Sequence, residues 1–344
     1  MKNKKILAVT LIVTGVVCLV FGLFVLWIVS SKTENTQTVK LCLYPNTSTE
    51  QVEKMLRDKG VIDSGFAYSL FVKVFCESGK MRSGYYEIAP KIKQAELAKM
   101  LSRGLQTPVK LVIGKVRTYD DFAEKVSSQL MISKEDLLLS IENLEYDLFE
   151  NVIPNTYQVY WNTTSDKLLR RLKTESDHWW KARAASVEKT GLNRHEIVVL
   201  ASIVEEETNK NEEKPTIAGV YINRLHRDML LQADPTVRYA VGDFTIKRIM
   251  YKHLQTDSPY NTYMYKGLPP SAICLPEQSS LLSVLNYQKH DYIFFCAKED
   301  FSGYHNFAST PDQHYANANK YQAALNKMGI KLGNKISQQD MKKG

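Results

Sequence analysis

From Ile6 to Val29 the chain runs without a single charged residue. In hydrocarbon every backbone N–H and C=O must be satisfied within the segment, which restricts such a run to a helix. Its length is enough to cross roughly 30 Å of hydrocarbon. Lys2, Lys4 and Lys5 precede the run and the polar Ser30-Ser31-Lys32 follows it. That asymmetry places residues 1–5 in the cytoplasm, makes 6–29 a transmembrane helix, and puts everything downstream on the extracytoplasmic (periplasmic) side. A cleaved signal peptide is the rival reading. The run is longer than a usual signal-peptide apolar core, and no small-x-small cleavage site follows it. Cys18 has no lipobox-like neighbours and is read as a lipid-facing or packed thiol. The expectation is an uncleaved single-pass anchor in the cell (inner) membrane.

About 310 residues follow, enough for two or three domains. The net charge of +8 comes from 45 basic and 37 acidic residues that are interleaved along the chain. No stripe of alternating Lys/Arg and aromatics appears, so nucleic acid is not an expected partner. A mildly basic surface suits an acidic polymer or anionic lipid headgroups. Cys42, Cys76, Cys274 and Cys296 show no CxxC spacing and no clustered histidines, which disfavours zinc, and no cofactor is expected. A Cys274–Cys296 disulfide is left open.

A weak internal similarity organises the start of the exported region. Val39 to Leu43 reads as a strand, followed by the turn 44–47 and a helix opened by a Ser48-x-x-Gln51 capping box, with Gly60 as its stop. Tyr85 to Ile88, Pro90, and Gln94 to Leu101 before Gly104 repeat the plan. So do Val109 to Ile113, Gly114, and Thr118 to Leu130. Ser133 to Asn143 reads as a further helix, and residues 149–157 as an ordered loop. One long helix from about Ser165 to Thr190 is ended by Gly191. Helices are also expected over 193–209, 215–227 and 315–328, with a hairpin from Asp291 to Ala308. The fold class is therefore α+β.

Within the helix over 193–209, residues 200–208 read Leu-Ala-Ser-Ile-Val-Glu-Glu-Glu-Thr. On a helical wheel Glu207 shares one face with Leu200, Ile203 and Val204. Glu205 falls on the far side near Ser202, and Glu206 between the two. A carboxyl on an apolar stripe is desolvated, so it holds and returns a proton near neutral pH. The alternative is a helix end running out into solvent.

After Glu207 come Ala218-Gly219-Val220-Tyr221-Ile222-Asn223-Arg224-Leu225, then Leu231-Gln232-Ala233-Asp234-Pro235-Thr236-Val237, then Tyr260-Asn261-Thr262-Tyr263, then Gly267-Leu268-Pro269-Pro270. In these separated motifs, taken in order, the chain resembles the endolytic murein transglycosylases of the YceG/MltG-like family. The resemblance covers nearly the whole exported chain. It implies a LysM-like module over 30–106, a second strand–helix linking subdomain over 107–150 and a mixed α/β catalytic domain over 151–333; the Lys-rich stretch after Gly333 reads as a flexible tail over 334–344. It also implies that Glu207, the glutamate before the threonine of Ile-Val-Glu-x-Glu-Thr, is catalytic. Two departures stand out. Ile113-Gly114 replaces the family's usual Glu-Gly, and Pro154-Asn155-Thr156-Tyr157 replaces its Pro-Asp-Thr-Tyr.

Glycosidic cleavage needs an acid to protonate the leaving oxygen as oxocarbenium character develops, and ordinary glycosidases add a second carboxylate. A lytic transglycosylase, as the resemblance implies, lets the C6 hydroxyl of N-acetylmuramic acid (MurNAc) close a 1,6-anhydro ring, with one glutamate acting first as acid and then as base. The expected activity is cleavage of the bond between MurNAc and N-acetylglucosamine (GlcNAc) in nascent glycan strands, with peptidoglycan synthases as possible membrane partners. Asn223, Arg224, Gln232, Asp234, Thr236, Tyr260, Asn261 and Tyr263 suit sugar hydroxyls and the N-acetyl group. Each also has a structural reading: Asn223-Arg224 within its helix, Asp234-Pro235-Thr236 as a turn, the two tyrosines as core. His305, with Phe307 and His314, resembles the family's C-terminal His-x-Phe segment and suits the cleft, whereas two histidines nine residues apart are not a metal pattern. Two alternatives remain: a hydrolase using Asp234 as second carboxylate, and a non-catalytic glycan-binding scaffold.

Overall fold

A computed structural model describes residues 2–76, 79–246 and 248–328. The segment 334–344, expected as a flexible tail, lies outside the described residues. The chain is a mixed α/β protein that divides into two compact units. The first comprises residues 1–111, 129–132 and 157–163; the second comprises 112–128, 133–156 and 164–344.

The first unit begins with α1 (Lys2–Ser30), whose stretch from Ile6 to Ser30 is long and apolar enough to cross a membrane and has no side chain of its apolar window buried against protein. Then come β1 (Val39–Leu43), α2 (Thr49–Asp58), α3 (Phe66–Phe75), β2 (Gly84–Ile88) and α4 (Gln94–Arg103). β1 and β2 pair antiparallel with Leu41 opposite Tyr86 and Val39 opposite Ile88. Alternation along both strands sends Leu41, Leu43, Tyr86 and Ile88 to one face, where Val52, Leu56, Tyr68, Val72, Leu97 and Leu101 of the three helices close the core. The Ser48–Gln51 capping box forms as its residues dictate. α3 was not among the expected helices. Its sequence FAYSLFVKVF is apolar almost all round and opens at a left-handed Gly65 without a side-chain cap, so neither periodicity nor a cap marks it; packing against α4 makes it a helix.

β3 (Val109–Ile113) follows and pairs with β4 (Asn155–Val159) in a second ribbon, through which the division between units passes. The expected loop over 149–157 thus ends in a strand, because pairing partners satisfy backbone groups that local sequence leaves unassigned. In the second unit α5 (Tyr119–Ser127) and α6 (Lys134–Glu142) carry side-chain caps from Thr118 and Ser133. The expected helix over 165–190 is two helices, α7 (Ser165–Lys181) and α8 (Ala184–Thr190). No Gly or Pro lies at the break. Arg183 leaves helical geometry and folds its guanidinium over the Trp179 ring, 4.0 Å from the centroid, while Trp179 donates to Gln278. Tertiary contacts divide a locally continuous pattern.

The centre of the second unit is α9 (Arg194–Glu207), capped by an Asn193–Glu196 capping box. Around it pack α10 (Lys214–His226), α11 (Asp234–Val241) and, beyond the short α12 (Tyr251–Leu254), α13 (Gln278–Leu285). Every residue from Ile197 to Glu205 is buried. The hairpin β5 (Phe294–Ala297) with β6 (His305–Ala308) and then α14 (Pro311–Lys327) are the last elements among the described residues.

Candidate active site

α9 ends at Glu207, and Thr208 is already extended. Three carboxylates in the last turn of a helix face the negative end of its dipole, an unfavourable arrangement that each must offset. Each does so differently.

Glu205, placed by the wheel on the side away from Glu207, is not directed to solvent. It is buried, accepts from Lys214 Nζ at 3.0 Å and from Ser280 Oγ at 2.5 Å, and its ion pair is among the most enclosed in the molecule, with side-chain exposures of 4% and 7%. The wheel identified a direction but not what lies there: α10 and α13 cover that side. Glu206 bridges Lys115 at 2.6 Å and Arg117 at 3.1 Å. Burial works to raise its carboxyl, but the two cations overcome it and hold it below the ordinary glutamate range.

Glu207 has no ion-pair partner among the described residues. Its Oε1 accepts a 2.6 Å hydrogen bond from the Tyr221 hydroxyl, and its Oε2 accepts none. Burial pushes its carboxyl up to about 7, with the Asp234 charge adding to the rise. The Tyr221 hydrogen bond and the charges of Arg224 and Arg238 work against it. The residue as a whole is half-buried, so the acid is enclosed yet reachable. Burial also pushes the Tyr221 hydroxyl well above its ordinary range, which keeps it a donor.

Tyr221 stands on α10, where Gly219 permits a close approach. A Cβ at Gly219 would lie 2.4 Å from the Gln288 carbonyl oxygen and 2.7 Å from His290 Nε2. The segment 288–292 therefore presses on this helix. Asn223 Nδ2 donates to the carbonyls of His290 (2.7 Å) and Tyr292 (2.9 Å). Arg224, buried, donates to the carbonyls of Ile293 (2.7 Å), Leu231 (2.8 Å) and Leu230 (3.2 Å). Both thus clamp the walls around Glu207.

Asp234, in the first turn of α11, is exposed and accepts from the Tyr263 hydroxyl at 2.7 Å. Burial, followed by the Asp234 charge, raises the Tyr263 hydroxyl well above the usual tyrosine range. Thr236 is fully buried, bonded to the Ala233 carbonyl and Thr262 Oγ1. Asn261 is fully buried too, with its amide on the carbonyls of Leu254 and Thr256. Their polar groups are engaged by the protein itself. Tyr260 shares a 2.6 Å hydrogen bond with Ser271 and packs on Tyr239. Gln232 is exposed and sits at φ +51°, a left-handed backbone rare for a side chain of its size. The His305 ring meets Glu213 at 3.0 Å and stands edge-on to Phe295, which in turn stands edge-on to Tyr221.

The structure thus gathers Glu207, Tyr221, Asp234, Tyr263, Arg224 and Arg238 in one neighbourhood. Tyr221 and Arg238 were not singled out in the sequence, although Tyr221 lies inside a quoted motif. A tyrosine flanked by Val220 and Ile222 reads as core, and only the fold shows its hydroxyl meeting a carboxyl. Among the described residues no group of His, Cys, Asp or Glu side chains could hold a metal ion. Cys274 is a buried free thiol, so the disulfide left open between it and Cys296 is not formed.

An apolar N-terminal helix, small strand–helix units, and a half-buried acid at the end of an enclosed helix together define the class. The chain matches the YceG-like family over residues 41–320 and belongs to it. Its relatives include a protein of Bacillus subtilis (strain 168) named endolytic murein transglycosylase, 26% identical over 318 residues that cover 85% of this chain and 87% of the relative. Proteins of the same name from Streptococcus pneumoniae (strains D39 and R6) are 26% identical over 290 residues covering 73% of this chain; it spans 52% of their length. A crystal structure of a YceG-like protein from Listeria monocytogenes superposes with a TM-score of 0.56 at 27% identity, covering 82% of this chain and 99% of that one.

Proposed function

We propose that the chain is an endolytic murein transglycosylase that cleaves the MurNAc–GlcNAc bond of glycan strands and leaves a 1,6-anhydro end. The observation that carries this reading is the Glu207 carboxyl: half-buried, held near a pKa of about 7, and fixed through one oxygen by Tyr221. Such a group gives its proton to a leaving oxygen and, as carboxylate, takes one back from the C6 hydroxyl of the same sugar. The bond between anomeric carbon and leaving oxygen breaks, the bond from O6 to that carbon forms, and the proton passes through Glu207. Tyr221 engages Oε1, which leaves Oε2 for the proton transfer. Family membership and the names of the relatives support the same substrate class.

The second reading, a two-carboxylate hydrolase, draws on Asp234, whose charge bears on Glu207. Mass spectrometry of the muropeptides released from purified glycan strands separates the two. Anhydro ends are expected; reducing ends alone would replace this reading with hydrolysis. Asp234→Asn should weaken activity through lost positioning of Tyr263 and leave the products anhydro. Complete loss in a folded Asp234→Asn protein would favour the two-carboxylate enzyme.

Residues 30–106 are assigned as a LysM-like glycan-binding module, supported by the shared core of the β1–β2 ribbon and its helices. Residues 107–150 are assigned as the link and 151–333 as the catalytic domain. The apolar helix is assigned as a single-pass anchor with the N-terminus cytoplasmic, which would hold the enzyme beside membrane-bound synthases at newly made strands.

A further inference from the structure

Around the end of α9 the cations are almost all spoken for. Lys214 pairs with Glu205, and Lys115 and Arg117 pair with Glu206. Arg224, one of two arginines whose charge bears on Glu207, spends its guanidinium on the backbone carbonyls of Leu230, Leu231 and Ile293. Arg238 is the other. It is half-buried on α11, yet among the described residues it makes no ion pair and no side-chain hydrogen bond, and its Nε is enclosed without an acceptor. Asp234 lies four residues earlier, the spacing at which helical residues pair, but its carboxylate is engaged by Tyr263 instead.

An enclosed guanidinium N–H without an acceptor is costly. A guanidinium beside the cleaved bond carries a second cost during reaction, since it repels the positive charge of an oxocarbenium-like transition state. A carboxylate brought by the substrate offsets the second cost by pairing with the terminal nitrogens of the guanidinium, which, unlike Nε, are not enclosed. The planar fork of arginine matches a carboxylate bidentately. The amino-sugar backbone is otherwise neutral, and the acid nearest the scissile bond is the lactyl group on the MurNAc ring. Where the stem peptide has been removed that acid is free; where the peptide is attached, the nearest carboxylates belong to the peptide.

Resting on the transglycosylase reading, we infer that Arg238 is a specificity-determining residue that binds a carboxylate of the glycan strand next to the cleaved bond. The test compares kcat/KM of the full-length protein on matched pairs of purified strands. One pair is peptide-free, with lactyl groups either free or converted to methylamides. The other bears stem peptides, with their carboxylates free or amidated. The wild type should favour the free-acid member of one pair by roughly ten-fold or more, the scale of a charge-assisted hydrogen bond, and the pair that responds identifies the source. Arg238→Gln should bring that ratio towards one. If this variant does not fold, Arg238→Lys carries the test, because a single ammonium should cut the ratio several-fold. The inference is overturned if amidation costs the wild type nothing in either pair, or if the ratio survives in the variants. If the wild type releases no anhydro ends from any strand, the transglycosylase reading fails and this inference with it.

Discussion

Tyr221 of α10 donates a 2.6 Å hydrogen bond to Glu207, the last residue of α9. The contact fixes one of the acid's two oxygens, and among the described residues no cation pairs with it. Its two neighbours are neutralised by lysine and arginine. Of the three consecutive glutamates, only Glu207 has no ion-pair partner among the described residues, and burial raises its carboxyl to about 7.

Glu207→Gln should lose roughly 10²-fold or more in turnover, the usual scale of general acid–base catalysis. It should also be the more stable protein at neutral pH. A carboxyl raised from 4.5 to about 7 binds its proton more tightly folded than unfolded. Its stabilising effect is full below pH 4.5 and is lost as the pH rises through 7. Urea denaturation of both proteins should show the variant's advantage growing over that window, to roughly 1–3 kcal/mol. Equal stability at pH 5 and pH 8 would contradict the raised value.

Tyr221→Phe removes the hydrogen bond that lowers the Glu207 carboxyl. The basic limb of the pH–rate profile should then move upward, by about one pH unit for a charge-assisted bond of ordinary strength. A limb that stays put, in a folded protein with reduced turnover, would reduce the hydroxyl to a packing role.

Glu205→Gln tests the enclosed pair with Lys214. Removing one member of a buried ion pair strands the other, at a cost of about 3–5 kcal/mol. The variant should unfold at markedly lower urea, and Lys214→Met combined with Glu205→Gln should recover part of the loss. A silent Glu205→Gln would mean that this side of α9 is open to solvent after all.

For the anchor, a reporter fused after residue 328 should be active only outside the cytoplasm, and the mature protein should keep its N-terminus. Recovery of a soluble form beginning near Ser30 would identify a cleaved signal instead.

Local signals carried much of this architecture. The boxes at Ser48, Thr118 and Asn193 start helices where their residues require, because a cap is a property of four adjacent residues. What could not be read depends on partners distant in sequence. α3 has no side-chain cap, and only Ser69 and Lys73 interrupt its apolar run. The break at Arg183 comes from a tryptophan ring and a glutamine almost a hundred residues away. The same divide runs through the site. Glu207 stood out because an acid on an apolar stripe breaks a local rule. The wheel could not show that the stripe opposite was equally covered, nor that Thr236, Asn261 and Asn223 would turn their polar groups to backbone. Tyr221 and Arg238 look ordinary in sequence; one is distinguished by the carboxyl it meets and the other by the partner it lacks.

The enclosure of α9 on every side has a kinetic corollary. A helix with no solvent-facing stripe cannot fray sideways, and its amides can exchange with water only when the helices around it separate together. Glu207 ends that helix, so its alignment is inherited from the buried run of Ile197 to Glu205. Heating should therefore extinguish turnover in step with loss of the fold rather than through an earlier, softer intermediate.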